Sequence, residues 1–169
     1  ISIFWASKGF EIESGKLLHE LVSEELPNHS YGVVSGPTFA TEVAKGMPAA
    51  ITCAGNDDAT TKYFASLLHG SRFRCYTSDD VIGVELGGAL KNILAIAVGT
   101  ADGLGFGANT RAALMTRGLA EVMRLGKKLG AKQETLMGLA GLGDLILTCT
   151  DDQSRNRRFG LAIGQGKTV

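Results

Sequence analysis

VIGVELGGALKNILAIAVGT, residues 81–100, is a run of twenty residues without proline, rich in Leu, Ile, Val and Ala. Its length and composition predict a long buried helix. At 3.6 residues per turn, Gly83, Gly87 and Lys91 share one line, and Gly88 and Asn92 the line beside it. Each glycine costs a helix about 1 kcal/mol against alanine. Three glycines within six residues therefore imply that something approaches the backbone closely beside the lysine. Desolvation lowers an amine's affinity for its proton, which is how a group with an ordinary pKa of about 10.4 becomes an acid/base near neutrality. The plainer alternative is a lysine that snorkels from the helix edge or pairs with an acid. A membrane span is excluded because Glu85, Lys91 and Asn92 would each be costly at mid-bilayer.

The rest of the composition narrows the field. Lys plus Arg and Asp plus Glu both total 17 in 169 residues. There is thus no global field for nucleic acid or an anionic membrane. A hydrophobic content of 44% suffices for a real core and argues against disorder. Three cysteines without CxxC spacing fit a reducing, cytoplasmic setting. The three histidines show no paired metal-ligand spacing, so no metal is expected. The first residue is not Met and the last residues carry no terminus signal, so the chain reads as an internal piece of a longer protein.

Outward from residues 81–100, the N-terminal side alternates strand and helix. Strands are predicted at 1–6, 31–35, 49–54 and 73–76, with helices at 16–26, after Gly36-Pro37-Thr38 with Pro37 near the first position, and from Asn56-Asp57-Asp58 to about His69. That alternation predicts α/β architecture with at least part of the sheet parallel. Beyond Ser78 strand patterning stops. A glycine-rich link (GLGFGA, 103–108) leads to a helix over about 109–129, then shorter helices around 133–149 and 154–164. Two domains follow: 1–78, the rear of an α/β domain, and 79–169, all helical. GLGFGA lacks the third glycine of a dinucleotide fingerprint and follows a helix. Gly166-Lys167-Thr168 lacks the first glycine of a P-loop.

Three places carry chemistry. Lys8 and Gly36-Pro37-Thr38 follow strands, where open α/β sheets bind ligands, and helix-opening amides after Gly36 would suit an anion. In GLGDLILTCT (141–150), Asp144 and Thr148 share a helix face. Asp144 lies among Leu142, Leu145 and Ile146, where an unpaired carboxylate is expensive; it is either a partner for Lys91, an acceptor for a substrate hydroxyl, or a helix cap after Gly143. In QSRNRR (153–158), arginine forks suit phosphate, with Ser154 and Asn156 as further donors. Arg157 and Arg158 are expected to matter less than Arg155 if they face solvent.

Taken together, WASKG (5–9), SGPTFA (35–40), IGVELGGALKN (82–92), GLGFGAN (103–109), TRG (116–118) and GLGDLILTC (141–149) through QSRNRRFG (153–160) resemble the prokaryotic-type NAD(P)-dependent glycerol-3-phosphate dehydrogenases, in the family's order and over nearly the whole chain. The resemblance implies a partial Rossmann-like domain followed by a helical domain like that of 6-phosphogluconate dehydrogenase. It implies hydride transfer between sn-glycerol 3-phosphate and dihydroxyacetone phosphate, with NAD or NADP as cofactor, supplying glycerol phosphate for phospholipid synthesis. Lys91 would be the acid/base, with Asp144 and Thr148 orienting it. Lys8, Gly36, Thr38, Lys91, Asp144, Ser154, Arg155 and Asn156 would contact the three-carbon phosphate, and Lys8, Ala40 and Arg155 the dinucleotide. A cytoplasmic homodimer is implied, with no nucleic-acid partner and no membrane insertion. The family's GxGxxG segment is missing, so residues 1–169 alone are expected to be inactive. A related hydroxyacid dehydrogenase and a non-catalytic ligand-binding or dimerisation module are the alternatives.

Overall fold

The computed structural model describes residues 1–168. Four strands, β1 (Ile3–Trp5), β2 (Tyr31–Ser35), β3 (Ala49–Gly55) and β4 (Phe73–Ser78), form one sheet in that order. β1 pairs β2 in parallel and β3 pairs β4 in parallel, but β2 and β3 run antiparallel. The sheet is therefore mixed, with two of its three strand pairs parallel, in keeping with the expectation that at least part of it would be. Three helices, α1 (Leu18–Glu25), α2 (Ala40–Ala44) and α3 (Asp58–Leu68), intervene.

Period-two alternation sorts the strand side chains onto two faces. Ile51, Cys53 and Cys75 pack with Ala65 of α3 on one face, where Phe4 and Phe64 stack with ring centres 4.0 Å apart. Val33 and Ala54 point the other way, against Val81 and Val84 at the start of α4 (Val81–Gly103). The first turns of α4 thus complete the sheet's core, and its later turns form another. Ala95 and Val98 pack there with Leu145, Cys149 and the partly buried Leu94, Leu114, Met115 and Leu119.

α4 opens on Asp80. One carboxylate oxygen accepts the Gly83 amide at 2.8 Å, and the other accepts the Lys132 amide at 2.8 Å. α4 is long and apolar enough to cross a membrane, yet half of its most apolar stretch is buried within this fold. Around it lie α5 (Ala108–Leu129), which ends on Gly130 in the left-handed conformation (φ 92°), and the short α6 (Gln133–Leu136). A π-helical turn, Leu139–Gly143, runs directly into α7 (Asp144–Thr150), and α8 (Arg155–Gly164) follows. Among the described residues no strand occurs beyond Ser78.

The glycines of α4 do what their cost implied. A methyl at Gly87 would run into the Ala140 carbonyl, and one at Gly88 would lie 3.0 Å from Ser35 Oγ and 3.3 Å from Lys8 Nζ. Further along, Gly99 and Gly103 meet the backbone of α8, whose own Gly160 and Gly164 meet α4 in return. Small residues on both sides let the two helix backbones touch.

Candidate active site

The chemistry gathers where β1 and β2 end, beside the middle of α4. Lys91 reaches across to Asp144, with Nζ 2.5 Å from Oδ1. Asp144 is 1% exposed, so its charge depends on its partners. It does not cap a helix through its side chain, because the π turn passes into α7 without an extended cap residue. The carboxylate is left free to face the lysines. Its second oxygen lies 3.4 Å from Lys8 Nζ, and Lys8 also donates to Ser35 Oγ at 2.6 Å. Thr148 Oγ1 donates to the Asp144 carbonyl at 2.6 Å and stands 3.4 Å from Oδ1. Burial pushes the Lys8 pKa below its ordinary value; Asp144 opposes this and the neighbouring Lys91 adds to it.

Lys91 opens onto a cleft of about 820 Å³. One wall comes from the β2–α2 connection: Thr38, Phe39, Ala40 and Thr41. The other comes from α4, α7 and the start of α8, with Lys91, Asn92, Thr148, Ser154, Arg155, Asn156 and Arg158. Thus Thr38, Ala40, Lys91, Thr148, Ser154, Arg155 and Asn156, separated by more than a hundred residues, share one cavity. Lys8, Gly36 and Asp144 lie outside its lining, with Lys8 and Asp144 behind Lys91. Gln153 bridges the walls, accepting from Thr41 Oγ1 at 2.5 Å and donating to Glu42 Oε1 at 2.8 Å.

Several expectations are corrected. Pro37 is not a first helical residue. Gly36 to Phe39 form a bent connection, closed by a Thr38 hydroxyl bond to the Gly36 carbonyl at 3.2 Å, and the helix begins only at Ala40. The amides after Gly36 are therefore loop amides. Arg157 does not face solvent. It is 8% exposed, donates to the Cys149 carbonyl at 3.1 Å and to Asp102 Oδ2 at 2.8 Å, and pairs with Asp152. Ser154 is the cap of α8, accepting the Arg157 amide at 3.2 Å. Arg158 is exposed but lines the cleft. Asn92 also lines it, and only its place one residue after Lys91 hinted at that.

The cleft thus lies at the strand ends of an α/β sheet and against a helical domain, with half-buried Lys91 held by buried Asp144. The model of the family described as "NAD-dependent glycerol-3-phosphate dehydrogenase C-terminus" matches residues 80–169, and that of its N-terminus matches residues 1–61. The chain belongs to the NAD-dependent glycerol-3-phosphate dehydrogenase family. A glycerol-3-phosphate dehydrogenase (NAD(P)+) of Thioalkalivibrio sulfidiphilus is 61% identical over 99% of the chain and 50% of its own length. The crystal structure of glycerol-3-phosphate dehydrogenase from Coxiella burnetii superposes with a TM-score of 0.95 at 57% identity, over 98% of this chain and 50% of that one. The Saccharomyces cerevisiae enzyme gives 0.85 at 32% identity, over 97% and 50%. The chain spans about half the length of the relatives it matches.

Proposed function

We propose that the active enzyme formed with this chain interconverts sn-glycerol 3-phosphate and dihydroxyacetone phosphate with NAD or NADP, in the cytoplasm and as a homodimer, supplying glycerol phosphate for phospholipid synthesis. Residues 1–78 serve as the rear of its dinucleotide-binding domain, and 79–169 as its substrate domain. The observation that carries this is the Lys91–Asp144 pair, 2.5 Å apart and opening onto a cleft that also holds Arg155 and Asn156.

Two anionic groups have matching donors. Arg155 and Asn156 offer charge-assisted hydrogen bonds to the substrate phosphate, with the Ser154 and Thr38 hydroxyls beside them. Ala40 lines the opposite wall and Lys8 lies behind Lys91, so cationic and small neutral side chains fit a dinucleotide against the strand ends. Lys8, Ala40 and Arg155 would hold it there. When bound, the nicotinamide supplies or accepts the hydride at C2.

This chain's residues handle the proton. In reduction Lys91 Nζ gives a proton to the ketone oxygen, and in oxidation it takes one from the C2 hydroxyl. Asp144 fixes Lys91 from below, Thr148 fixes the carboxylate, and Arg155 and Asn156 hold the phosphate so that C2 stays beside Lys91. Gly36 shapes the connection carrying Thr38. Lys91→Ala in the active enzyme tests the reading. We expect kcat to fall by about 10²–10⁴-fold when measured well below the variant's Tm, which drops because Asp144 loses its nearest cation; a kcat near wild type would remove Lys91 from the chemistry.

A further inference from the structure

The Lys8 ammonium has two partners, and the nearer is not the charged one. Its Nζ lies 2.6 Å from Ser35 Oγ but 3.4 Å from Asp144 Oδ2, while Lys91 holds Asp144 Oδ1 at 2.5 Å. Two lysines thus converge on one buried carboxylate, and a neutral hydroxyl holds one of them at arm's length. Ser35 ends β2 and is 2% exposed, so its hydroxyl is fixed by the sheet. Gly88 makes the room, since a side chain there would press on both Ser35 Oγ and Lys8 Nζ.

We infer that Ser35 is a positioning residue of the active site: it draws Lys8 off Asp144, leaving the carboxylate its short contact to Lys91. The inference rests on the dehydrogenase reading above. Without the hydroxyl, Lys8 has no near neutral acceptor among the described residues and closes on Asp144, competing with Lys91. The charged groups around Lys8 are Asp144 of α7 and Lys91 of α4, so closure exchanges one for a tighter hold on the other.

The active enzyme carrying Ser35→Ala, Lys8→Ala and both changes decides it, with dihydroxyacetone phosphate as substrate. Misplacing a catalytic group by about 1 Å can cost about a hundredfold. We expect kcat for Ser35→Ala to fall about tenfold to a hundredfold with KM changed less. The double variant should be no slower than Lys8→Ala, since Ser35 acts through Lys8. Ser35→Thr, which keeps the hydroxyl, should recover most of the loss. A Ser35→Ala rate within about twofold of wild type, or losses that simply multiply, would overturn the proposal. Independently of activity, the titration of Lys8 followed by NMR of labelled lysine should move to higher pH in Ser35→Ala as Lys8 closes on Asp144. No move, or a move downward, would overturn it. If wild-type enzyme fails to reduce dihydroxyacetone phosphate, the dehydrogenase reading fails, while the titration still decides the Ser35–Lys8 contact. Should Ser35→Ala fold poorly, Gly88→Ala pushes on the same two atoms from α4 and should give the same Lys8-dependent loss.

Discussion

Arg155 and Arg157 stand two residues apart and face opposite ways. Arg155 lines the cleft with no partner holding its guanidinium among the described residues, whereas Arg157 is locked beneath it to Asp102 and the Cys149 carbonyl. Arg155→Ala should raise KM for dihydroxyacetone phosphate by about tenfold or more, since a hydrogen bond to a charged group contributes about 1.5–3 kcal/mol, and should leave Tm alone. Arg157→Ala should do the reverse at first order. Breaking a buried pair costs about 3–5 kcal/mol. The lower end is expected because Arg111 also holds Asp102, at 3.1 Å. Steady-state kinetics and thermal melts of the two variants separate the roles. A run of three arginines in four residues signalled phosphate chemistry, but it carried no mark of which one turns inward. That depends on an aspartate some fifty residues earlier. Asp144 was easier to read, because a carboxylate among leucines needs a partner, and Lys91 in its apolar run was one of the three readings open for it. Ser35 left no trace, since a serine closing an apolar strand looks like any strand end.

At the scale of elements, α4 carries the molecule, and its contact with α8 is the most exposed to test. Gly160 lies against the Ile96 carbonyl with no room for a Cβ. Gly160→Val should therefore force α8 outward, at a cost of about 1–3 kcal/mol or more. Because α8 begins with Ser154, Arg155 and Asn156, the same variant should weaken phosphate binding. A melt and a KM measurement on one sample check both, and a lower Tm with KM untouched would show that the start of α8 is held independently. The helix itself was legible because length, apolarity and glycine spacing agree, and the strands were legible because alternation marks them. Strand direction was not. Alternation records which face a residue occupies and says nothing of polarity, so which strand pairs are parallel stayed open, and β3 returns antiparallel to β2. The late start of α2 was hidden for a similar reason: proline suits a first helical turn and a bent connection equally.

For the whole molecule, the question is what keeps the sheet and the helical domain in register, since the cleft takes one wall from each. Apolar packing of Val33 and Ala54 on Val81 and Val84 is one tie. A second is polar and depends on pH. Glu85 of α4 is 6% exposed and reaches α1, accepting the His19 amide at 3.2 Å and meeting His19 Nδ1 at 2.5 Å. That hydrogen bond to Glu85 raises the His19 pKa above its ordinary value, against the opposing effect of burial, with Glu20 adding a smaller push upward. A raised folded-state pKa means the folded protein binds the proton more tightly than the unfolded chain. The stabilisation is then complete below about pH 6.5, the ordinary histidine value, and is lost as pH climbs through the folded-state value. We expect Tm to drop by a few degrees between about pH 6 and pH 9, on the scale of roughly 2–4 °C per kcal/mol for a domain of this size. His19→Gln should flatten that slope and lower Tm mainly on the acid side. Glu85→Gln should flatten it as well, and its neutral amide would still accept the His19 amide. A slope unchanged in both variants would assign the pH dependence elsewhere and leave the apolar contact, the Gln153 bridge and the Lys8–Asp144 contact to tie the two walls of the cleft.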